Sequence, residues 1–191
     1  MRAQAPRGRP RISSIQSLRQ AAGQFCPPYE IAREAPQALR ITLHDPNGRL
    51  PELVVRHHQQ RRLLLKANYL VVEAIVAGDG PVEDGELVFR FMGSLKRQRP
   101  SFRWRKPVEG GEEWAHRLEE PLMSGVRKVQ AIESLRIGWS ESSGAWLFRL
   151  ETMSGSVVGG FMSPVPIPVP MDHEEAEGII EMVEALGETG G

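Results

Sequence analysis

The sequence predicts an α+β fold: an antiparallel sheet of about six to nine strands packed with amino-terminal, central and carboxyl-terminal helices. Three observations carry it. Segments with apolar residues at every second position recur, as in ELVFRFM from Glu86 and SLRIGW from Ser134, the period of a half-buried strand. Three longer segments carry apolar residues at helical spacing. The 19 glycines and 15 prolines exceed the usual share of ~12% and imply many turns between short elements.

The first helix is read in ISSIQSLRQAAGQF, where Ser13 and Gln16 form a capping box and Ile15, Leu18, Ala22 and Phe25 make one stripe. CPPYE reads as a turn-rich connection. ALRITLH alternates Leu39, Ile41 and Leu43, and the DPNG turn leads to a returning strand at ELVVRHH. Residues 59–68 have helix-forming composition, but the β-branched YLVVEAIV beyond them favours strands throughout. GDGPVEDG is a loop. In SFRWRK, Phe102 and Trp104 fall on one face and Arg103 and Arg105 on the other. From Glu112 to about Ile132, Trp114, Leu118, Leu122, Val126 and Val129 predict a helix, broken at Pro121. SLRIGW, AWLFRLE and SVVGGFM then form a meander joined by SESSG and TMSG turns, with Trp139 and Trp146 as a cross-strand pair. The last helix opens at Asp172 with Glu175 three residues on, buries Ala176, Ile179, Ile180, Val183 and Leu186, and ends with Gly187 as its C′ residue.

Four prolines, Pro164, Pro166, Pro168 and Pro170, stand at alternate positions ahead of that helix. A polyproline ligand needs prolines three apart, and none here are. In a strand, alternate residues aim their backbone groups at opposite edges. The prolines therefore share one edge that offers no donors, while Val165, Ile167 and Val169 keep theirs for the other. That is edge protection, with a Val-Ile-Val stripe expected in the core.

Length suits one domain, read as a flexible basic tail over 1–11 and a single domain over 12–188. LRITLHDPNGRL from Leu39 and LRIGWSESSGAW from Leu135 resemble one another, which raises internal halves 12–108 and 109–188 as a reading. The single cysteine, Cys26, fits a reducing compartment, so the expected location is cytoplasmic. No stretch approaches a membrane span. The amino end has the arginine-rich, acid-free composition of a transit peptide, but its helical stripe argues against that role.

Net charge is zero, so no global field draws nucleic acid. Locally, LKRQRPSFRWRK gathers Lys96, Arg97, Arg99, Arg103 and Arg105, the candidate binding residues. Phosphate neutralisation with Trp104 or Phe102 stacking on bases is the functional reading. A solvated basic face with core aromatics competes with it and is favoured by the alternation. Glu113 and His116 form one Glu-x-x-His, too few for a two-metal carboxylate site. His57 and His58 are adjacent and face opposite sides of a strand. Nucleotide loops, hydrolase elbows and calcium loops are missing from the sequence, so no metal or cofactor is assigned. Two function classes stay open: a non-catalytic binding or interaction domain taking a protein or small-molecule ligand, and an enzyme whose dispersed site draws on Cys26, His44, His57 or His116.

Overall fold

A computed structural model describes residues 14–25, 29–35, 38–43, 52–62, 65–92, 99–160 and 163–188. The chain forms α1 (Ser14–Ala22), β1 (Tyr29–Ala35), β2 (Ala38–Leu43), β3 (Leu53–Arg62), β4 (Leu65–Ala77), β5 (Gly85–Met92) and β6 (Arg99–Trp104). It continues through α2 (Gly111–Lys128), β7 (Ile132–Ser140), β8 (Ala145–Gly160), β9 (Ser163–Pro168) and α3 (His173–Gly187). This is an α+β fold. All nine strands join one antiparallel sheet in the order β1-β2-β3-β4-β8-β7-β5-β6, with β9 also on β8. β4 pairs along one edge of β8, while β7 and β9 share the other.

The three helices pack on one face of the sheet. A single core joins Leu18 and Phe25, the strand residues Ile41, Val55, Val72, Leu87 and Phe148, and Leu122, Ile179 and Val183 of the long helices. α2 and α3 meet where Gly125 and Gly178 face each other: a Cβ on Gly125 would stand 2.3 Å from the Gly178 carbonyl oxygen. All four tryptophans converge at the β6 side. Trp146 is fully buried and its ring lies 4.9 Å from Trp139, 6.1 Å from Trp114 and 6.4 Å from Trp104. The indole N–H groups of Trp104, Trp139 and Trp146 donate to the carbonyls of Gly111, Pro81 and Asp79.

Most elements follow the expected periodicity, and residues 59–62 and 65–68 are strand. Both LRI segments lie on strands, each with Leu and Ile buried in the core. The Ser13 cap and the DPNG turn lie outside the described residues. Five readings are corrected, the last of them on β9. Helix α2 runs unbroken through Pro121; that residue is exposed, where water can serve the carbonyl it leaves unpaired, and Leu118 and Leu122 pin the helix on either side. Tyr29 and Glu30, read as part of the CPPYE connection, open strand β1, recruited by pairing with β2. Gly187 is the last helical residue rather than C′, with Glu188 as a right-handed C-cap.

The fourth correction is the TMSG segment, which is a bulge inside the continuous β8 and not a turn. There the register slips between Asn68 and Leu70 of β4, and Gly155 takes φ 74°, a conformation glycine adopts without cost. A side chain at Gly155 would also stand 2.8 Å from Leu70 and 2.9 Å from Ala21. The buried hydroxyls that looked like turn chemistry are all engaged. Thr152 donates to the Gln130 carbonyl and Ser156 to that of Thr152, while Ser17 and the His57 Nε2–H reach the Gly155 carbonyl.

On β9 the proline reading holds in its hydrogen bonding and fails in its burial. Val169 N–H donates to Ser156 carbonyl at 2.8 Å and Gly155 N–H to Val169 carbonyl at 3.0 Å, and among the described residues β9 pairs with β8 alone. Ile167, however, is 58% exposed and Val169 half-buried. Replacing Ile167 with Asp should therefore shift stability by less than about 0.5 kcal/mol in urea melts; a loss of several kcal/mol would put the stripe back in the core.

Burial lowers the His57 pKa from 6.5, with the bond to Gly155 opposing. The folded state thus favours neutral His57 more than the unfolded chain does. Its contribution is full above the unfolded pKa of about 6.5 and falls as pH drops through that value toward the lower folded pKa. His57→Gln should flatten the decline in melting temperature just below pH 6.5; an unchanged slope would contradict this.

A candidate interaction site on the open face of the sheet

Opposite the helices, the other sheet face carries the alternate residues of each strand. Directly paired residues share a face, so the register defines one row across seven strands. It runs Arg40, Val54, Glu73, Arg149, Arg136, Val88 and Arg103, roughly 30 Å at ~4.8 Å per strand. A second row sets Ile75 of β4 opposite Leu147 of β8, then Gly138 of β7 and Glu86 of β5. Ile75 is 67% and Leu147 54% exposed.

Toward the β3 side the charges are paired. The Arg56 guanidinium donates through Nε and Nη2 to both Glu73 oxygens at 3.0 and 2.8 Å, and Arg149 adds a bond to Glu73 at 2.7 Å. These bonds, that from Arg56 foremost, hold the Glu73 carboxyl below the usual carboxylate range and raise the Arg56 pKa. Glu151 accepts from Arg149 at 3.0 Å and from His58 Nδ1 at 3.1 Å. Toward the β6 side the balance changes. Glu86 accepts from Arg105 at 3.0 Å, whereas Arg136 comes no nearer to it than 3.9 Å, beyond hydrogen-bonding distance. Arg90, Arg103 and Arg136 are exposed and make no hydrogen bond among the described residues. A depression of about 490 Å³ lies between these zones, lined by the small Ser134 and Gly138 and bounded by Arg136, Leu147, Arg149 and Glu151.

Of the sequence-predicted binding residues, Arg103 and Arg105 stand exposed on this face. Arg99 opens β6 with its side chain outside the described part, and Lys96 and Arg97 lie outside it altogether. Phe102 is buried, its ring 5.3 Å from Phe89, and Trp104 belongs to the tryptophan cluster. Neither presents a ring on the face that carries the arginines. Arg90, Arg136, Arg149, Glu73 and Glu86 were not singled out in the sequence; alternation places each opposite core residues, but only strand adjacency brings them together.

Among the enzyme candidates, His57 is half-buried on the helix side, and Cys26 and His44 lie outside the described residues. His116 is exposed on α2 and lines, with Glu113, Trp104 and Arg105, a groove of about 820 Å³ between β6 and α2. Among the described residues, no group of three or more His, Cys, Asp or Glu is placed to hold a metal ion, and no helix is long and apolar enough to cross a membrane.

The family model for a protein of unknown function, DUF3156, matches residues 25–189. The chain belongs to the DUF3156 family. The matched span takes in all nine strands, α2 and α3, and leaves out α1. No curated protein and no solved structure matches the chain.

Because Glu73 sits between two guanidinium groups, Glu73→Gln should cost about 1 kcal/mol, given that all three side chains are partly solvated. The loss should shrink at high salt in denaturant titrations; a salt-independent loss would point to packing instead.

Proposed function

We propose that this DUF3156 protein is a non-catalytic binding or interaction protein of the cytoplasm that docks its partner on the open face of the sheet. The observation that carries this reading is the trio Arg90, Arg103 and Arg136, exposed and making no hydrogen bond among the described residues (Arg136 only an ion pair of 3.9 Å with Glu86), beside the exposed aliphatic pair Ile75 and Leu147. A single exposed aliphatic residue is ordinary. Two in direct register on the central strands, next to guanidinium groups with unused donors, give an apolar anchor with a polar rim. Glu73 and Glu151 already accept two partners each, and Glu86 stands beside two cations, so these three serve to position arginines rather than to take protons.

A dispersed-site enzyme is the competing reading, and the groove holding Glu113 and His116 is where it would reside. The two separate by experiment. Ile75→Ser with Leu147→Ser should leave the melting temperature within a few degrees, as surface changes do, and abolish retention of partners that co-purify with the unaltered protein. Robust turnover in a hydrolase and transferase panel that disappears in His116→Ala would replace the docking reading with an enzymatic one.

A further inference from the structure

We infer that the occupant of the open face is an acidic amphipathic segment of another protein. Its carboxylates are received by Arg136, Arg103 and Arg90, and its aliphatic side chains by Ile75, Leu147 and the depression beside Gly138. This deepens the docking reading above and rests on it.

The first argument is hydrogen-bond capacity. A guanidinium has five N–H donors. Arg136 and Arg103 use none on the described residues, and Arg105 engages Glu86 through a single nitrogen. The carboxylates Glu73 and Glu151 are occupied by Arg56, Arg149 and His58. What this face has left to give is donors and positive charge, and planar, bidentate acceptors such as carboxylates match them best.

The second argument excludes other occupants. A single-stranded nucleic acid needs aromatic platforms, yet the rings next to the arginines, Phe102 and Trp104, turn to the helix side. A second copy placed face to face would lay the arginine row against itself. A second copy offering its acidic helix fails differently. α3 carries five glutamates and no cation, but its Ile179, Ile180, Val183 and Leu186 are buried in its own core, leaving no aliphatic stripe to present. The helical layer is acidic as a whole: α2 adds four glutamates, against three cations in α2 and Arg19 in α1. An acidic partner is therefore repelled from the helices and directed to the sheet.

The probe is a fluorescein-labelled peptide of Glu-Leu-Ala-Glu repeats, followed by anisotropy beside a labelled oligodeoxythymidylate of equal length. Saturable peptide binding is expected, weakened about tenfold by Arg136→Glu, by Arg103→Glu and by Leu147→Ser, and unchanged by Arg127→Glu on α2. Circular dichroism checks each fold, and Arg103, at the sheet edge, carries the test should Arg136→Glu not fold. Tighter oligonucleotide binding that depends on the same arginines would overturn the partner's chemistry while leaving docking on this face intact. A dimer abolished by Arg136→Glu would assign the face to a second copy. Absence of peptide binding would overturn the inference alone, since docking is judged by the co-purification test above; binding to either probe indifferent to the face variants would sink both.

Discussion

The Glu175 carboxylate accepts hydrogen bonds from the Ser154 hydroxyl of β8, the Gln130 amide at the entrance to β7 and the Asp172 amide that caps α3. Glu175 is 3% exposed, and the bond from Ser154 is buried, where an unmet acceptor costs about 1–3 kcal/mol or more. The same residue completes the capping box of α3 through its own amide and the Asp172 side chain. One side chain thus ties the start of the last helix to the bulge of the longest strand. The bulge in turn depends on Gly155, whose carbonyl is met by Ser17 of α1 and His57 of β3. Without Glu175 the Ser154 hydroxyl would be buried unpaired, while Thr152 and Ser156 keep their bonds to the carbonyls of Gln130 and Thr152.

Seating all three helices on one face leaves the other open, and the chemistry of the two sides diverges. On the covered side the strands present Val, Leu, Ile and Trp. On the open side they present arginine and glutamate around a small aliphatic centre. Partly solvated ion pairs of the kind formed by Arg56, Glu73 and Arg149 add little to stability, but they do hold long side chains in one arrangement. The Arg149 guanidinium is held by Glu73 and Glu151 together, which lowers the ordering cost a partner would otherwise meet at that position.

Much of this architecture is legible in the sequence because local periodicity is a local property. ELVFRFM, SFRWRK and the stripe of α3 state their buried faces without help from the rest of the chain. The misreadings share one cause. TMSG has the composition of a turn, and only a distant Gln130 carbonyl, Ser17 and Glu175 make a buried bulge of it. Tyr29 and Glu30 follow two prolines and read as connection, and only their pairing with Leu43 and Thr42 of β2 makes them strand. Ile167 alternates like a core residue, yet β9 lies off the main strand order, and the helices leave that side chain uncovered. The candidate site was half visible for the same reason. Arg103 and Arg105 stand in one basic segment, whereas Arg136 reaches them only through the pairing of β5 with both β6 and β7.

That pairing also explains why the prolines matter to the open face. β7 and β9 occupy successive stretches of the same edge of β8. Beyond β7 the sheet goes on to β5 and β6, and these strands bring the unpaired arginines. Beyond β9 the prolines withhold donors, so no strand can add there with a full ladder. A sheet free to grow past β9 would offer an adhesive edge beside the bulge. With that edge blocked, strand addition beside the bulge is closed, and the outer strands of the main order are β1 and β6.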